Sequence, residues 1–352
     1  MTTNDIRPSD FTDVRQGNVA IARGRYLPQD LFPEELTEIE LKQIITKARM
    51  AALTSLTTAP AGTWIFTGQC ALLFHGLPTW FSCPDLTMWR ADGQIVPHRT
   101  SFPSTQVRDV IVPSAKRIVK VGRRLGMKVV GRSGVQTVNL LEAATDVARY
   151  EHPLIGMFAM CAVYRYLSGM DLSSVATTDA MAEVTALKAS LGRMLTTYQN
   201  HRGSRIASSL SEIADPNVAG PGEAFIYWIL VCVLHGSPDF DLLQPKYETQ
   251  IGEKQYSLDF AFPTLKLAFE FTDWPRDEVS QQSHLNFLHT QNALSVEGWR
   301  VIYLTSLDMD DLDGTVRMVT TALSKAGAHP HAPSGPLWKP LSPELLDVDR
   351  RF

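Results

Sequence analysis

Cysteine is scarce in this sequence and follows no pattern. The 352 residues include four cysteines, which lie far apart at Cys70, Cys83, Cys161 and Cys232. Such spacing lacks the paired cysteines of a zinc site and argues against a disulfide framework. The nine histidines form no ligand cluster with these cysteines. We therefore expect reduced thiols in a cytoplasmic protein.

An excess of charge of one sign and long hydrophobic runs are also missing. The formal net charge is −4, so a surface that binds nucleic acid would have to be local. No apolar run approaches the length of a membrane span, and the first ten residues, MTTNDIRPSD, contain no signal-peptide core. We expect a soluble protein without a membrane partner, long enough for two or three domains.

The clearest break in the chain combines two turn-forming sequences, Asp215-Pro216-Asn217 and Gly220-Pro221-Gly222. We place a domain boundary there. The predicted organisation is an α+β region over residues 1–215, an α/β domain with a mixed sheet over 216–327, and a proline-rich tail over 328–352.

Apolar spacing predicts several elements of the N-terminal region. A capping box at Thr37 and helical periodicity after it predict a helix over 37–53. The segment 154–167 is apolar nearly all round, which is typical of a buried helix. A long amphipathic helix is predicted over 178–201, and a β-type run is predicted as one strand over 107–112.

Two acidic residues are the most chemically suggestive feature of the second region. Alternation predicts adjacent strands over 255–262 and 266–272, with Asp259 and Glu270 together on the face opposite the bulky apolar side chains. Two carboxylates held close together repel each other and are tolerated best around a hard cation such as Mg²⁺. The alternative is that both acids belong to the solvated face of a half-covered sheet.

The surrounding elements supply a third acid. Gly220-Pro221-Gly222-Glu223 begins an apolar helix that continues to about His235. Glu223 also has an ordinary explanation, because an acid in the first turn stabilises a helix. With further elements after it, the predicted order is helix, three strands, helix, strand and helix; the strands and later helices lie at 246–250, 255–262, 266–272, 282–297, 300–304 and 312–326.

The segment from about 220 to 326 resembles the PD-(D/E)XK nuclease fold, and within it the very-short-patch-repair-like endonuclease domains. The resemblance lies in PGEAFIYWIL, YSLDFAFPTLKLAFEF and HTQNALSVEGWRVIYLT. It implies a DNA-cleaving site in which Glu223, Asp259 and Glu270 bind Mg²⁺ or Mn²⁺, and in which Thr272 and Gln291 belong to the catalytic set. The family commonly has lysine where this chain has Thr272, so either Asp273, His284 or Gln291 takes over its role, or the site binds DNA weakly and does not cut it.

One stretch of the N-terminal region is strongly basic. Seven cationic residues follow one another without an intervening acid: Lys116, Arg117, Lys120, Arg123, Arg124, Lys128 and Arg132. We predict that the first six contact DNA phosphates. The alternative is a solvated strand face that acids from elsewhere in the fold neutralise.

A weaker resemblance concerns the segments 67–78 (TGQCALLFHGLP) and 137–144 (TVNLLEAA). They are similar to AbiEi-type antitoxin and transcription-regulator proteins, although simple core packing explains the same apolar residues. Together the two resemblances imply either a magnesium-dependent DNA endonuclease of defence, restriction or repair, or a non-catalytic regulator that uses the nuclease fold as a scaffold. DNA is the expected partner in both cases, with a further protein of a defence system as a possible second one, and the oligomeric state stays open.

Overall fold

The chain forms two compact units in a computed structural model, one up to Glu151 and the other from His152 to Leu346. Each unit combines helices with a mixed β-sheet, so the expected α/β class is confirmed. Among the described residues, no helix is both long enough and apolar enough to cross a membrane. The structure describes residues 6, 8–56, 64–90, 101–120, 129–132, 134–171, 174–198, 200–272 and 281–346.

The first unit packs helices against a sheet with strand order β5-β8-β4-β3-β10-β9. Its helices are α1 (Glu38–Leu56), α2 (Gly68–Phe74) and α3 (Leu140–Tyr150). Its strands are β1 (Asn18–Ala22), β2 (Arg25–Pro28), β3 (Trp64–Phe66), β4 (Leu86–Arg90), β5 (Ser101–Phe102), β6 (Thr105–Val107), β7 (Val110–Val112), β8 (Ala115–Lys120), β9 (Val129–Arg132) and β10 (Val135–Val138). Helix α1 contributes a buried apolar face to the core, as its periodicity predicted.

The single strand predicted over 107–112 is wrong, because the chain reverses within it. Strands β6 and β7 pair as a tight antiparallel hairpin. Arg108 lies in the turn with a φ of 54°, in the left-handed region that non-glycine residues seldom adopt. Its guanidinium donates hydrogen bonds to the backbone carbonyls of Phe32, Pro33 and Glu34, which hold the turn in place.

The second unit contains the predicted succession of helix, three strands, helix, strand and helix. Its sheet has the order β11-β12-β13-β14, with two antiparallel pairings followed by a parallel one. Its strands are β11 (Gln244–Ile251), β12 (Lys254–Phe262), β13 (Leu267–Phe271) and β14 (Arg300–Leu304). Its helices are α4 (Pro153–Leu167), α5 (Thr178–Thr196), α6 (Ser204–Ile213), α7 (Pro221–Val233), α8 (Gln281–Val296) and α9 (Leu312–Ala326).

The long helix predicted over 178–201 is shorter than expected. Helix α5 ends at Thr196, and Asn200 and Gly203 then take left-handed φ values of 70° and 76°. A left-handed residue cannot continue a right-handed helix. The chain therefore turns and begins α6, which the sequence pattern did not reveal.

The two compact units divide about 60 residues before the boundary that the turn sequences suggested. Helices α4 to α6 belong to the same unit as the segment that begins with α7. Hydrogen bonds connect these helices to each other and to α7. The Tyr164 hydroxyl donates to the Ser211 carbonyl at 3.0 Å, and the Tyr227 hydroxyl donates to the Ile213 carbonyl at 2.7 Å. The turn-forming residues thus connect two helices of one unit.

The proline-rich segment after α9 also packs onto the second unit over its described part. The rings of Trp338 and Trp228 stack with centroids 4.7 Å apart. The Trp228 indole donates a hydrogen bond to the Leu337 carbonyl at 2.9 Å. Residues 328–346 thus cover one side of α7 instead of forming a separate tail.

The first turn of α7 is set closely against the sheet by a glycine. A Cβ atom on Gly222 would lie 2.1 Å from the ring of Phe271, so only glycine permits this approach. One turn further, the rings of Tyr227 and Phe260 stack 5.6 Å apart. The close approach of Gly222 to Phe271 places Glu223, the residue after that glycine, beside the end of strand β13.

Candidate functional site

A row of polar residues crosses all four strands of the second sheet. Residues on either side of Lys246 and Asp259 pair in register between β11 and β12, so these two face each other. The β12–β13 register, continued by one residue, places Glu270 opposite Asp259. Glu270 in turn pairs with Tyr303 on β14. We call Lys246, Asp259, Glu270 and Tyr303 the polar row.

The two acids of the hairpin lie on one face, as alternation predicted, and they bond to the strands themselves. The backbone amide of Asp259 donates to Glu270 Oε1 at 2.9 Å. The backbone amide of Phe271 donates to Asp259 Oδ2 at 3.0 Å. Carboxylate oxygens thus replace main-chain carbonyls where the ladder ends, which fixes both side chains.

Glu223 joins the row from the first turn of α7. Its Oε2 accepts a hydrogen bond from the Ala219 amide at 2.9 Å, and its Oε1 lies 3.1 Å from Lys246 Nζ. The same ammonium lies 2.5 Å from Asp259 Oδ1. The side chains of Lys246, Glu223 and Asp259 are 20%, 17% and 12% exposed, so the bridge is largely shielded but open to solvent on one side.

The backbone of Lys246 is unusual for a strand residue. Its φ of 51° lies in the left-handed region, which is uncommon for a lysine. Such a conformation persists only where the surrounding structure determines it, and it is often found at functional sites. Its side chain lies on the same face as that of Asp259, as their cross-strand pairing requires, and it reaches both Glu223 and Asp259.

Three acids, Glu223, Asp259 and Glu270, have the single positive charge of Lys246 among them. Burial, followed by repulsion from Asp259, raises the pKa of Glu270 to about 8. Burial and the charge of Asp259 also raise the pKa of Glu223. Burial alone would lower the pKa of Lys246, but the charges of Asp259 and Glu223 outweigh it and leave that pKa raised. At neutral pH the site favours a charged lysine, and Glu270 readily holds a proton.

The other predicted catalytic residues lie near the row in different ways. Gln291 on α8 hydrogen-bonds the Tyr303 hydroxyl, whose pKa burial and Glu270 raise to about 12. Thr272 follows the end of β13, where its amide donates to the Leu304 carbonyl at 2.8 Å. Asp273 and the side chain of His284 lie outside the described residues.

The oxygen donors of Glu223, Asp259 and Glu270 match a divalent cation in their chemistry, although the lysine stands among them. In the described part of the chain, no three His, Cys, Asp or Glu side chains form a ready metal site. The positive charge among the acids is instead the Lys246 ammonium. Three carboxylates with one lysine still leave excess negative charge, and oxygen donors are the ligands that Mg²⁺ and Mn²⁺ prefer. The chemistry of Glu223, Asp259 and Glu270 therefore fits such an ion.

Sequence reasoning missed Lys246 and Tyr303. Residue 246 was recognised as the first residue of a strand, but its left-handed backbone conformation has no sequence signal in a lysine. Tyr303 lay within a short apolar strand whose parallel register to β13 could not be read from the sequence. Asp259 and Glu270 were found because alternation along β12 and β13 holds up to the end of the ladder, and Glu223 was found through the resemblance to the nuclease pattern.

Half of the predicted phosphate-binding residues lie on strand β8 and interact within the first unit. Lys120 Nζ lies 4.1 Å from the ring centroid of Tyr150, and the Arg117 guanidinium lies 5.7 Å from that of Trp64. Burial lowers the pKa of Arg117. The Lys116 side chain is exposed. Arg123, Arg124 and Lys128 lie outside the described residues, so DNA contact by this run stays a prediction.

The first unit buries acids of its own beside α3. Asp146 Oδ2 accepts hydrogen bonds from the Thr67 hydroxyl at 2.5 Å and from the Trp89 indole at 2.8 Å. Glu151 Oε2 accepts from the Gln69 amide at 2.5 Å. Burial raises the pKa of Glu151 to about 7, against the opposing effects of Gln69 and Lys120. These contacts join the segment 67–78 to helix α3 and to the residue after it, and the His75 ring nitrogen, 2.9 Å from the Thr137 hydroxyl, joins the same segment to 137–144.

Comparison with known proteins assigns no family. No protein-family model matches the sequence, and neither a curated protein nor a solved structure matches it. The function of the protein is therefore inferred from the geometry of the polar row and from the sequence pattern of residues 220–326.

Proposed function

We propose that the second unit is a divalent-cation-dependent phosphodiesterase that cleaves DNA, with Glu223, Asp259, Glu270 and Lys246 as its catalytic residues. One observation carries the proposal: a single ammonium is shared by two carboxylates from different elements, while a third carboxylate lies beside them. The PD-(D/E)XK-like order of elements around these residues supports the same chemistry. Defence, restriction or repair of DNA is the setting that the sequence resemblance suggests.

The residues of the row suit the separate needs of phosphodiester hydrolysis. Water must attack phosphorus, one P–O ester bond must break, and charge grows on the phosphoryl oxygens. The Lys246 ammonium supplies positive charge for those oxygens, as a preorganised cation does in such sites. The carboxyl group of Glu270, with a pKa of about 8, can take up and release a proton near neutral pH.

The carboxylates of Glu223, Asp259 and Glu270 would hold Mg²⁺ or Mn²⁺. Such an ion supplies Lewis-acid activation of the phosphate and of water. The backbone amides of Ala219 and Phe271 already fix one oxygen each of Glu223 and Asp259. Only the remaining oxygens need to reorient between the lysine and a cation.

Lys246 also accounts for the departure at Thr272. A lysine on β11 that bridges Glu223 and Asp259 supplies the charge that the family commonly places two residues after the strand glutamate. DNA is the proposed substrate because the basic run from Lys116 to Lys128 offers phosphate contacts. That run would add affinity without sequence preference.

A second function is favoured by the lysine bridge itself. Lys246 neutralises Glu223 and Asp259 without any metal, which would suit an inert scaffold. In that case the protein is a DNA-binding regulator of the antitoxin type that does not cut. The two proposals share DNA binding and differ in metal-dependent cleavage.

Cleavage of plasmid and of intact, mismatched and damaged duplexes, in Mg²⁺ or Mn²⁺ against EDTA, tests the proposal. We expect metal-dependent cleavage that Asp259→Ala or Glu270→Ala lowers by at least about 100-fold, since each removes an oxygen ligand of the proposed cation. Duplex binding in EDTA should change little. Glu248→Ala, an exposed acid on β11, is the matched control and should cleave as the wild type does.

The role of Lys246 has its own pair of variants. Lys246→Met should lower cleavage about as much as loss of an acid, whereas Thr272→Lys should change it little because Lys246 already supplies the charge. A wild-type chain that binds duplex but cuts none of these substrates with either ion would favour the regulator. Full activity of Lys246→Met would remove the lysine from the mechanism.

A further inference from the structure

Helix α8 lies directly beside the polar row and carries no charge. None of its 16 residues, QQSHLNFLHTQNALSV, is Asp, Glu, Lys or Arg, in a chain where one residue in five is charged. A solvent-facing helix normally carries charged residues on its outer side. Their absence therefore requires another explanation for the exposed side of α8.

The inner side of α8 is fixed to the site. The ring of Phe287 meets that of Tyr303 edge-on at 4.9 Å, and Gln291 hydrogen-bonds the Tyr303 hydroxyl. Leu294 is buried with Trp299. These three residues, at helical spacing, leave the opposite side of α8 outward, about 10 Å from the row, since that is the diameter of a helix.

The outer side presents uncharged hydrogen-bonding groups. Gln282, Asn286, His289 and Asn292 are exposed and recur at spacings of four, three and three residues. Exposed leucines, 41% at Leu285 and 39% at Leu288, lie beside them. The side chains of Gln282 and Asn286 share a hydrogen bond of 3.0 Å, which orders this face.

We propose that this outer face of α8 reads base edges in the major groove of duplex DNA, and so determines which sequence the second unit engages. The inference rests on the proposed function, because it identifies the substrate of that same site. Amide side chains can also bond phosphates, but a helix without cations gains none of the charge attraction that dominates phosphate binding, and phosphate contacts carry no sequence information.

Base edges match this chemistry on three counts. The major groove is about 12 Å wide and admits one α-helix. Asparagine and glutamine bond adenine through its N6 and N7 atoms, and leucine can contact the thymine methyl group. The face therefore predicts preference for a short motif rich in A·T pairs, in which Asn286, His289 and Asn292 contact three or four base pairs.

Selection from a randomised duplex library by the full chain in EDTA tests this proposal. The wild type should enrich a motif in which each wrong base pair weakens binding roughly tenfold, as single mismatches typically do. The triple variant Asn286→Ala, His289→Ala, Asn292→Ala should lose that preference and keep its affinity for unselected duplex within about threefold. Thr321→Ala, an exposed residue of α9, should keep the motif.

Three outcomes would overturn the proposal. One is a wild type that enriches no sequence, and another is a folded triple variant that enriches the same motif. The third is a dimer in sedimentation that Leu285→Ser dissolves, because the face would then be a contact between copies of the chain. The selection needs no metal, so it is independent of catalysis. A chain that selects a motif but never cuts contradicts only the proposed hydrolysis, and one that cuts every sequence alike contradicts only the reading face.

Discussion

Both units bury carboxylates, but they satisfy them in different ways. In the first unit, Asp146 accepts hydrogen bonds from Thr67 and Trp89 and lies 3.8 Å from the Arg149 guanidinium, and Glu151 accepts from the amide of Gln69. In the second, one ammonium bridges Glu223 and Asp259, and Glu270 accepts from the backbone amide of Asp259. The first unit gives each acid its own donors. The second brings three acids together with one shared lysine, and repulsion from Asp259 adds to burial in raising the pKa of Glu270.

This difference separates a structural acid from a candidate catalytic one. Strongly shifted carboxyl pKa values occur in structural networks as well as at active sites, so a shift alone does not distinguish them. Burial is the largest cause of the raised pKa of Glu151, about 7; Gln69 and Lys120 oppose it, and repulsion from Asp85 is a smaller contribution. For Glu270, repulsion from Asp259 is the second cause of the raised pKa after burial, and Glu223 adds to it. Crowding of like charge in addition to burial identifies the polar row as the site.

The largest expected effect is on the structural side of the comparison. Asp146→Ala should lower the free energy of unfolding by about 4 kcal/mol, because it leaves buried donors and a nearby arginine without their acceptor. Urea denaturation at pH 7 measures it, with Asp109→Ala, an exposed acid of the same unit, as the control. A loss no greater than that of the control would show that Asp146 does not stabilise the fold.

How far the sequence predicts the fold follows from the range of the interactions. The α7-to-α9 succession was predicted because alternation and helical periodicity are local. The division after Glu151 was not predicted, and the predicted boundary lies near residue 215 instead. The hydrogen bonds that join α4 to α6 and to the connection between α6 and α7 link residues 47 to 51 positions apart, as in Tyr164 to Ser211 and Arg165 to Pro216. Turn-forming residues mark a change of direction and carry no information on which helices pack together.

The site divides in the same way. Asp259 and Glu270 follow from side-chain alternation on adjacent strands, and Glu223 from the resemblance to the nuclease pattern. The bridge of Lys246 depends on the register of β11 against β12 and on Glu223, 23 positions earlier, and Tyr303 depends on the register of a parallel strand reached only after α8. Neither set of contacts is encoded in nearby residues. The sequence therefore predicts the acids of the row and leaves out its only cation.

An intermediate effect is expected from removing that cation. Lys246→Met leaves Glu223 and Asp259 facing each other, so unfolding free energy at pH 8 should fall by roughly 2–3 kcal/mol. The loss should shrink toward pH 5, where the raised pKa values of Glu223 and Glu270 allow these two acids to take up protons. Denaturation at both pH values checks this, with Lys254→Met, an exposed lysine on β12, as the control. A loss that is the same at both pH values would mean that the lysine stabilises the unit by packing alone.

The smallest expected effect is a gain. Burial and Asp259 raise the Glu270 pKa from an ordinary 4.5 to about 8, so the folded chain binds this proton more tightly than the unfolded one. The contribution of Glu270 to the free energy of unfolding is thus largest below pH 4.5 and is lost as the pH rises through 8. Glu270→Gln keeps the oxygen that accepts from the Asp259 amide but removes this loss. It should match the wild type at pH 4.5 and exceed it by roughly 2 kcal/mol at pH 9. Urea denaturation across this range measures the gain, and Glu248→Gln should show none. Equal stability of Glu270→Gln and wild type at pH 9 would mean that Glu270 ionises in the folded chain as freely as in water, and the contrast between the two units would then lose its basis.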